Sequence, residues 1–144
     1  MSVPPNMILV LACSKEKLDI PRAAAGELYR GTIYRKGKDI AEKVGLPFWI
    51  LSAKYGFIRP DQIVDNYDQK FKKPYDGPFP PAPWHGFYLG GQLYFKHMPQ
   101  SFQPLVTPAQ IGYMLQELTI LQRSPHLVQD MIAKHPGVAP PVSG

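Results

Sequence analysis

The sequence predicts a single α/β domain built on a small, mostly parallel sheet of about four strands flanked by helices. Two apolar runs, residues 7–12 and 48–52, have the length and the β-branched content of buried strands. The segment between them, residues 24–44, places apolar side chains at helical spacing and is followed by Gly45, a common helix stop. Because strand, helix and strand form a βαβ unit, we expect the two strands to be parallel.

Shorter elements are predicted around this unit. A third strand over 86–91 ends in Gly90 and Gly91, and a short helix over 92–97 precedes a fourth strand over 102–106. Thr107-Pro108-Ala109-Gln110 is a capping box that begins a helix, and Ser124-Pro125 begins another helix that ends near residue 135. Gly31 is a point at which the helix over 24–44 can break.

The segment between the second and third strands shows no firm periodicity. Residues 57–85 predict a long loop or lid, rich in proline toward its end, with a short helical turn over 60–64. The chain of 144 residues fits one core, so we expect one domain over 1–137 and a disordered tail over 138–144.

Positive charge is concentrated in the first half of the chain. Residues 1–73 hold 13 Lys or Arg against 8 Asp or Glu, whereas the remaining residues hold 3 of each, so the net charge of +5 lies in the first half. This asymmetry suits DNA, RNA or a phosphorylated metabolite, although a merely basic and soluble surface has the same pattern.

Several classes of protein are not expected. The single cysteine, Cys13, excludes an intramolecular disulfide, and the start of the sequence has no secretory leader, which together predict a cytoplasmic protein. No apolar run approaches the roughly 20 residues needed to cross a bilayer, so we expect no membrane partner. The four histidines lack the spacing of zinc ligands, and no metal or cofactor is expected.

Polar and small residues follow three of the predicted strands. They are Cys13-Ser14-Lys15-Glu16-Lys17, Ser52-Ala53-Lys54-Tyr55-Gly56 and Gly90-Gly91. Ligands of open parallel sheets bind beyond the carboxyl ends of the strands, where these segments are expected to converge. Their hydroxyls, amines and backbone amides suit a phosphate or the polar edge of a base, although ordinary α/β loops contain the same residue types.

These segments resemble the YaaA-like superfamily and neighbouring phage and bacterial domains of unknown function. The matching residues are Cys13-Ser-x-x-Lys17, Leu28-Tyr29-x-Gly31, Ile50-Leu51-Ser52-Ala53-Lys54-Tyr55-Gly56, Asp61-x-Ile63, Tyr67-Asp68, Gly90-Gly91-x-x-Tyr94 and Ile111-Gly112-x-Met114-Leu115. The resemblance implies association with DNA and nucleobase metabolism, including DNA binding and protection from oxidative damage.

A related motif, Pro-Cys-Ser-x-x-Lys, occurs in archaeosine synthase, where the motif lysine attacks a modified tRNA base. By that likeness Lys17 is the candidate nucleophile. In this chain Ala12 stands in place of the proline, Leu18-Asp19 stands in place of the Pro-Tyr that follows, and the distal histidine has no counterpart. The tRNA reaction is therefore not expected in the same form.

Lys17 and Asp68 are the candidate catalytic residues. An amine becomes nucleophilic near neutral pH when burial or a neighbouring cation favours its neutral form, and Lys15 and Lys54 are candidate neighbours. A Schiff-base lysine or a phosphate clamp would follow, and the alternative is a solvated loop lysine. The Asp68 carboxylate could stabilise the positive charge that develops on a sugar during N-glycosidic cleavage, or simply cap a turn.

Ten further residues are predicted to bind the substrate. Tyr29, Tyr55 and Tyr67 could stack on a base, although Tyr29 also lies on the apolar stripe of its helix, where core packing is expected. Cys13 has an alternative role as an inert buried thiol. The full predicted binding set is Cys13, Ser14, Tyr29, Ser52, Lys54, Tyr55, Gly56, Tyr67, Gly90 and Gly91.

The leading functional hypothesis is a nucleobase-processing enzyme that acts on DNA or nucleotides by N-glycosidic cleavage or base exchange, as a DNA glycosylase does. A non-catalytic DNA-binding stress protein is the first alternative, and it predicts salt-sensitive binding. A small-nucleotide enzyme or sensor in phage defence is the second. Its signature would be affinity for nucleotides without affinity for oligonucleotides.

Overall fold

The computed structural model describes residues 6–68, 85–96, 98 and 102–135. The predicted tail, the proline-rich part of the predicted loop and the end of the predicted 92–97 helix lie outside these residues. The strands are β1 (Met7–Ala12), β2 (Arg22–Ala24), β3 (Phe48–Ser52), β4 (Gly56–Ile58), β5 (Ile63–Asp65), β6 (His85–Leu89) and β7 (Phe102–Pro104). The helices are α1 (Ala25–Leu28), α2 (Thr32–Val44), α3 (Gln92–Phe95), α4 (Met114–Arg123) and α5 (Pro125–Ala133), with a 3₁₀ helix over Pro108–Tyr113 before α4.

The described residues form a five-stranded sheet in the order β4-β3-β1-β6-β7. β1 is central and pairs in parallel with both β3 and β6, β6 pairs in parallel with β7, and β4 is an antiparallel edge strand on β3. All six residues of β1 are buried, as expected of a strand covered on both faces. The predicted fold class, a mostly parallel sheet flanked by helices, is confirmed.

The two faces of β1 belong to two hydrophobic clusters. Met7, Leu9 and Leu11 pack in the larger cluster, to which α2, α4 and α5 contribute their buried faces. Ile8 and Val10 pack in the smaller cluster, on the side of the sheet covered by α3. Because α2 follows β1 and α3 follows β6, the chain leaves these two neighbouring strands toward opposite faces of the sheet.

Residues 24–44 do not form one continuous helix. The segment divides into α1 and α2, with Tyr29 and Gly31 in extended conformation between them. Tyr29 instead pairs as an isolated antiparallel bridge with Lys17. The predicted break near Gly31 is confirmed. At the break, hydrogen bonds to the loop that follows β1 replace the helical ones.

The helical turn predicted over 60–64 is wrong, because Ile63–Asp65 is the strand β5. It pairs antiparallel with β2 in a separate two-stranded sheet, and Arg22 forms an ion pair with Asp65 at 2.8 Å. The long loop predicted from residue 57 is therefore interrupted by strand residues.

Smaller differences occur at the ends of the later elements. The fourth predicted strand ends at Pro104, and the third ends at Leu89, before the Gly-Gly pair. One half of the predicted capping box is present. The Thr107 amide and hydroxyl donate to Gln110 Oε1 at 2.8 and 2.9 Å, whereas the Gln110 amide donates to the Thr107 carbonyl and not to its hydroxyl. It opens the 3₁₀ helix rather than α4 itself. No helix in the described part of the chain is long and apolar enough to cross a membrane.

Candidate functional site

A cavity of about 330 Å³ lies at the carboxyl ends of β1 and β6. The chain leaves these two strands toward opposite faces, and the loops that diverge from such a pair leave a crevice in which open α/β sheets bind ligands. The lining residues are Ala12, Cys13, Ser14, Lys15, Glu16, Gly31, Thr32, Ile33, Tyr34, Gly90, Gly91 and Leu115. The sequence-predicted loops after β1 and β6 therefore meet at one place.

Close contact between Ser14 and Gly31 forms one wall of the cavity. The Gly31 amide donates to Ser14 Oγ at 3.0 Å, and the Ser14 hydroxyl donates to the carbonyl of Glu16 at 2.8 Å. A β-carbon at Gly31 would overlap the Ser14 side chain. Glycine at position 31 therefore lets the loop after β1 lie directly against the start of α2.

A second glycine contact forms another part of the cavity wall. A β-carbon at Gly90 would overlap the Tyr88 hydroxyl and the side chain of Ala12, whereas a β-carbon at Gly91 would meet open space. The Tyr88 hydroxyl donates to the Gly91 carbonyl at 2.7 Å. Burial raises the pKa of Tyr88 above its ordinary value, so this phenol remains a donor at neutral pH.

The loop after β1 is fixed by backbone hydrogen bonds. The Leu18 amide donates to the carbonyl of Leu28, and the Arg30 amide donates to the carbonyl of Glu16, both at 2.8 Å. Lys15 and Glu16 are the exposed side chains of this loop that line the cavity. The loop thus places one cation and one carboxylate on a backbone that is held at its base.

Positive potential is expected at the α2 end of the cavity. α2 begins after Gly31 without a side-chain cap, and its first residues, Thr32 and Ile33, line the cavity. The amides of a first helical turn have no acceptor within the helix and form the positive end of the helix dipole. Lys15 adds a positive charge to this end of the cavity, and Glu16, whose carboxylate oxygen lies 3.5 Å from the β-carbon position of Gly31, adds a negative one beside it.

A hydroxyl cluster, made of Tyr29, Ser52 and Tyr67, lies beside the loop. Tyr67 Oη is 2.7 Å from Tyr29 Oη and 2.8 Å from Ser52 Oγ. Ser52 Oγ also accepts the amides of Lys54 and Tyr55, at 3.2 and 3.1 Å. Burial raises the pKa of both tyrosines, so both phenols are protonated at neutral pH.

Lys17 reaches this cluster from the loop. Its ammonium donates to the carbonyl of Lys15 at 3.3 Å and lies 4.5 Å from the ring centre of Tyr67 and 5.9 Å from that of Tyr29. A carbonyl oxygen and two aromatic faces are all partners that suit a cation. The contact with Lys15 links Lys17 to the cavity wall.

Comparison with known proteins gives a match in the first half of the chain. Residues 8–76 match the model of a family of unknown function, DUF6884. No curated protein and no solved structure matches the chain significantly. The segment that matches DUF6884 includes the loop after β1, the hydroxyl cluster and Lys17, whereas the Gly90-Gly91 wall of the cavity lies beyond it.

The predicted site residues fall into three groups. Cys13, Ser14, Gly90 and Gly91 line the cavity. Tyr29 and Ser52 are 1% and 0% exposed and support the site from within the protein, together with the half-buried Tyr67 and Lys17. Lys54, Tyr55, Gly56 and Asp68 do not line the cavity.

The four predicted residues that do not line the cavity lie in different surroundings. The exposed Lys54 places its ammonium 5.3 Å from the ring centre of Tyr55, whose hydroxyl donates to the Asp65 carbonyl. Gly56 has a positive φ of 74° that favours glycine at the turn into β4. Asp68 is exposed, and among the described residues its carboxylate has neither a hydrogen bond nor an ion pair.

Sequence reasoning missed two positions of the candidate site for which the motif offered a signal. Glu16 belongs to the loop motif and is the carboxylate that lines the cavity. Asn66 precedes Tyr67, and its side-chain amide donates to the carbonyls of Leu18 and Ile20 while its Oδ1 accepts the Tyr67 amide. Asn66 therefore ties the Tyr67 segment to the loop. Within the described ranges, no three His, Cys, Asp or Glu side chains converge as metal ligands.

Proposed function

We propose that this protein is a nucleobase-processing enzyme that takes one nucleotide unit, free or within DNA, into the cavity and cleaves its N-glycosidic bond. The observation that supports the proposal is the cavity between the carboxyl ends of β1 and β6, lined by Cys13, Ser14, Lys15 and Glu16. A volume of about 330 Å³ is at the lower end of the range for small-molecule sites. This size suits a single nucleotide unit rather than a larger ligand.

The cavity has two chemically different ends. The start of α2 and Lys15 favour an anion, which a nucleotide supplies as its phosphate. Ile33 and Leu115 provide apolar surface, against which a base can lie. The net charge of +5 in residues 1–73 and the resemblance of the loop motifs to the YaaA-like superfamily support the same ligand class.

Glu16 is the carboxylate best placed for the chemistry, and Asp68 is the alternative. During hydrolysis water attacks the sugar carbon, the carbon–nitrogen bond breaks, and its electron pair leaves with the base. The carboxylate stabilises the positive charge on the sugar and accepts a proton from the water, while the departing base takes up a proton. Lys17 does not line the cavity, but its ammonium contacts the carbonyl of Lys15, which does, and it adds positive charge behind that wall.

The experiment is incubation of the purified protein with nucleoside monophosphates and with DNA strands that contain normal and modified bases. We expect release of a free base by mass spectrometry or alkali-labile abasic sites in the DNA. Glu16→Gln should abolish release of the base if Glu16 is the carboxylate that stabilises the sugar. Asp68→Asn should abolish it if Asp68 has that role. Glu42→Gln, in the last turn of α2, is the matched control. An intact panel of nucleotides and DNA strands would refute the enzymatic proposal.

A nucleotide- or DNA-binding protein without catalysis is the second candidate. The observation that favours it is the surroundings of Lys17, whose carbonyl and aromatic partners suit an ammonium clamp rather than a nucleophilic amine. Ligand binding is measurable through Cys13, the only cysteine, because Cys13 is one of the residues that line the cavity. Protection of Cys13 by nucleotides without base release would support this candidate. Protection by mononucleotides and not by oligonucleotides would indicate a small-nucleotide sensor.

A further inference from the structure

The hydrogen bonds of the hydroxyl cluster have one direction. Ser52 Oγ already accepts two backbone amides, those of Lys54 and Tyr55, which fill its two lone pairs. Its own proton is therefore free to be donated to Tyr67 Oη, 2.8 Å away. Tyr67 in turn donates to Tyr29, its other hydroxyl partner. The turn after β3 thus sets the orientation of the Tyr67 hydroxyl.

The ring of Tyr67 is also confined by its neighbours. Tyr55 and Tyr29 meet it edge-on, with ring centres at 5.6 and 6.4 Å. The Tyr67 amide is bound by the side chain of Asn66. These contacts of its hydroxyl, ring edges and backbone give the Tyr67 ring a defined position. One face of the ring lies against the Lys17 ammonium, which is 4.5 Å from the ring centre.

We propose that Ser52 and Tyr67 are positioning residues for Lys17, which they hold as a fixed cation for the anionic group of the cavity ligand. Ser52 acts on Tyr67 through a hydrogen bond, and Tyr67 acts on Lys17 through its aromatic face. The part of this inference that concerns the ligand rests on the proposed function. The positioning itself does not, because the contacts exist in the ligand-free protein.

Nuclear magnetic resonance of the ligand-free protein tests the positioning directly. Protons on the Cε of Lys17 should be shifted upfield by the Tyr67 ring relative to those of exposed lysines. Tyr67→Phe keeps the ring but removes its hydroxyl, and it should move the shift part of the way toward the exposed value. Ser52→Ala should do the same, and Ser52→Thr, which retains a hydroxyl, should restore the shift. Tyr55→Phe is the control, since its hydroxyl bonds Asp65 outside the cluster.

The link to ligand binding is tested by a double-mutant cycle. Inorganic phosphate and a nucleoside monophosphate are the probes, and their affinities are measured by protection of Cys13 from a thiol reagent. Lys17→Met should weaken binding about fivefold, because Lys17 lies behind the lining residue Lys15 and acts on the anion through space rather than by a direct hydrogen bond. Tyr67→Phe should weaken it about threefold when Lys17 is present and not at all in the Lys17→Met background.

The outcomes separate this inference from the proposed function. A Lys17 shift equal to that of exposed lysines, or one unaffected by Tyr67→Phe and Ser52→Ala, would overturn the positioning while leaving the cavity proposal intact. Equal effects of Tyr67→Phe in both Lys17 backgrounds would overturn the role in ligand binding. If neither probe protects Cys13, the proposed function and the ligand role fail, and the resonance measurement still decides the positioning.

Discussion

Replacement of Gly31 by alanine should destabilise the protein and deform the cavity. Gly31 has φ −61° and ψ 149°, a conformation open to any residue, so the substitution introduces no backbone strain. The penalty arises because the new methyl group would occupy the space of the Ser14 side chain. Displacement of Ser14 would also break its hydrogen bond with the Gly31 amide.

The expected magnitude is a net loss of about 2 kcal/mol in the free energy of unfolding. Overpacking costs about 1–3 kcal/mol, and a lost hydrogen bond costs about 0.5–1.5 kcal/mol. Alanine restricts the unfolded chain more than glycine does, which returns about 0.4–1 kcal/mol. With a urea dependence of about 2 kcal/mol per molar, the midpoint of unfolding should fall by about 1 M.

Urea denaturation followed by tryptophan fluorescence measures this loss. Gly91→Ala is the matched control, because Gly91 lines the same cavity and a methyl group there would meet open space. We expect Gly91→Ala to unfold within about 0.5 kcal/mol of the parent chain. If Gly31→Ala is as stable as Gly91→Ala, the close approach of Ser14 to α2 is not a feature of the folded protein, and the cavity wall is wrong.

Two further predictions concern groups outside the cavity. Burial and the neighbouring His135 lower the pKa of His85 below the ordinary 6.5, so the unfolded chain binds more protons than the folded chain as the pH falls below that value. The free energy of unfolding should therefore decrease as the pH falls from about 7.5 to about 5.5. In His85→Phe the urea midpoint should fall less over the same pH range, and an equal fall in this variant and the parent chain would contradict the prediction. Asn66→Leu removes the donor to two loop carbonyls and should cost about 1 kcal/mol in urea unfolding, whereas an unchanged midpoint would show that Asn66 does not tie the loop.

The central part of the fold could be predicted from local sequence signals. β1 and β3 are continuous apolar runs, and such runs report burial on both faces without any knowledge of their partners. β2 and β5 could not be predicted, because each has three residues and forms only through pairing with a distant segment, 43 positions away in the case of Arg22 and Asp65. A short strand of this kind has no periodicity of its own.

The sequence predicted where the candidate site lies, but not which of its residues line the cavity and which support it from within the protein. The location rule for parallel sheets was enough to bring Cys13 and Gly90 to one cavity. The hydrogen bond between Ser52 and Tyr67 could not be read from the motif, since the two residues are 15 positions apart. Glu16 was visible in the sequence, but only the path of the loop shows that its side chain reaches the cavity.

The proposal that the cavity binds a nucleotide is tested most directly by the reactivity of Cys13. Cys13 is one of the residues that line the cavity, and no other cysteine contributes to the signal. A nucleoside monophosphate, or a DNA strand, should slow modification of Cys13 in a saturable manner, and the nucleoside without phosphate should protect less. Modification at the same rate in the presence of saturating nucleotides and DNA strands would contradict the proposal that this cavity is the ligand site.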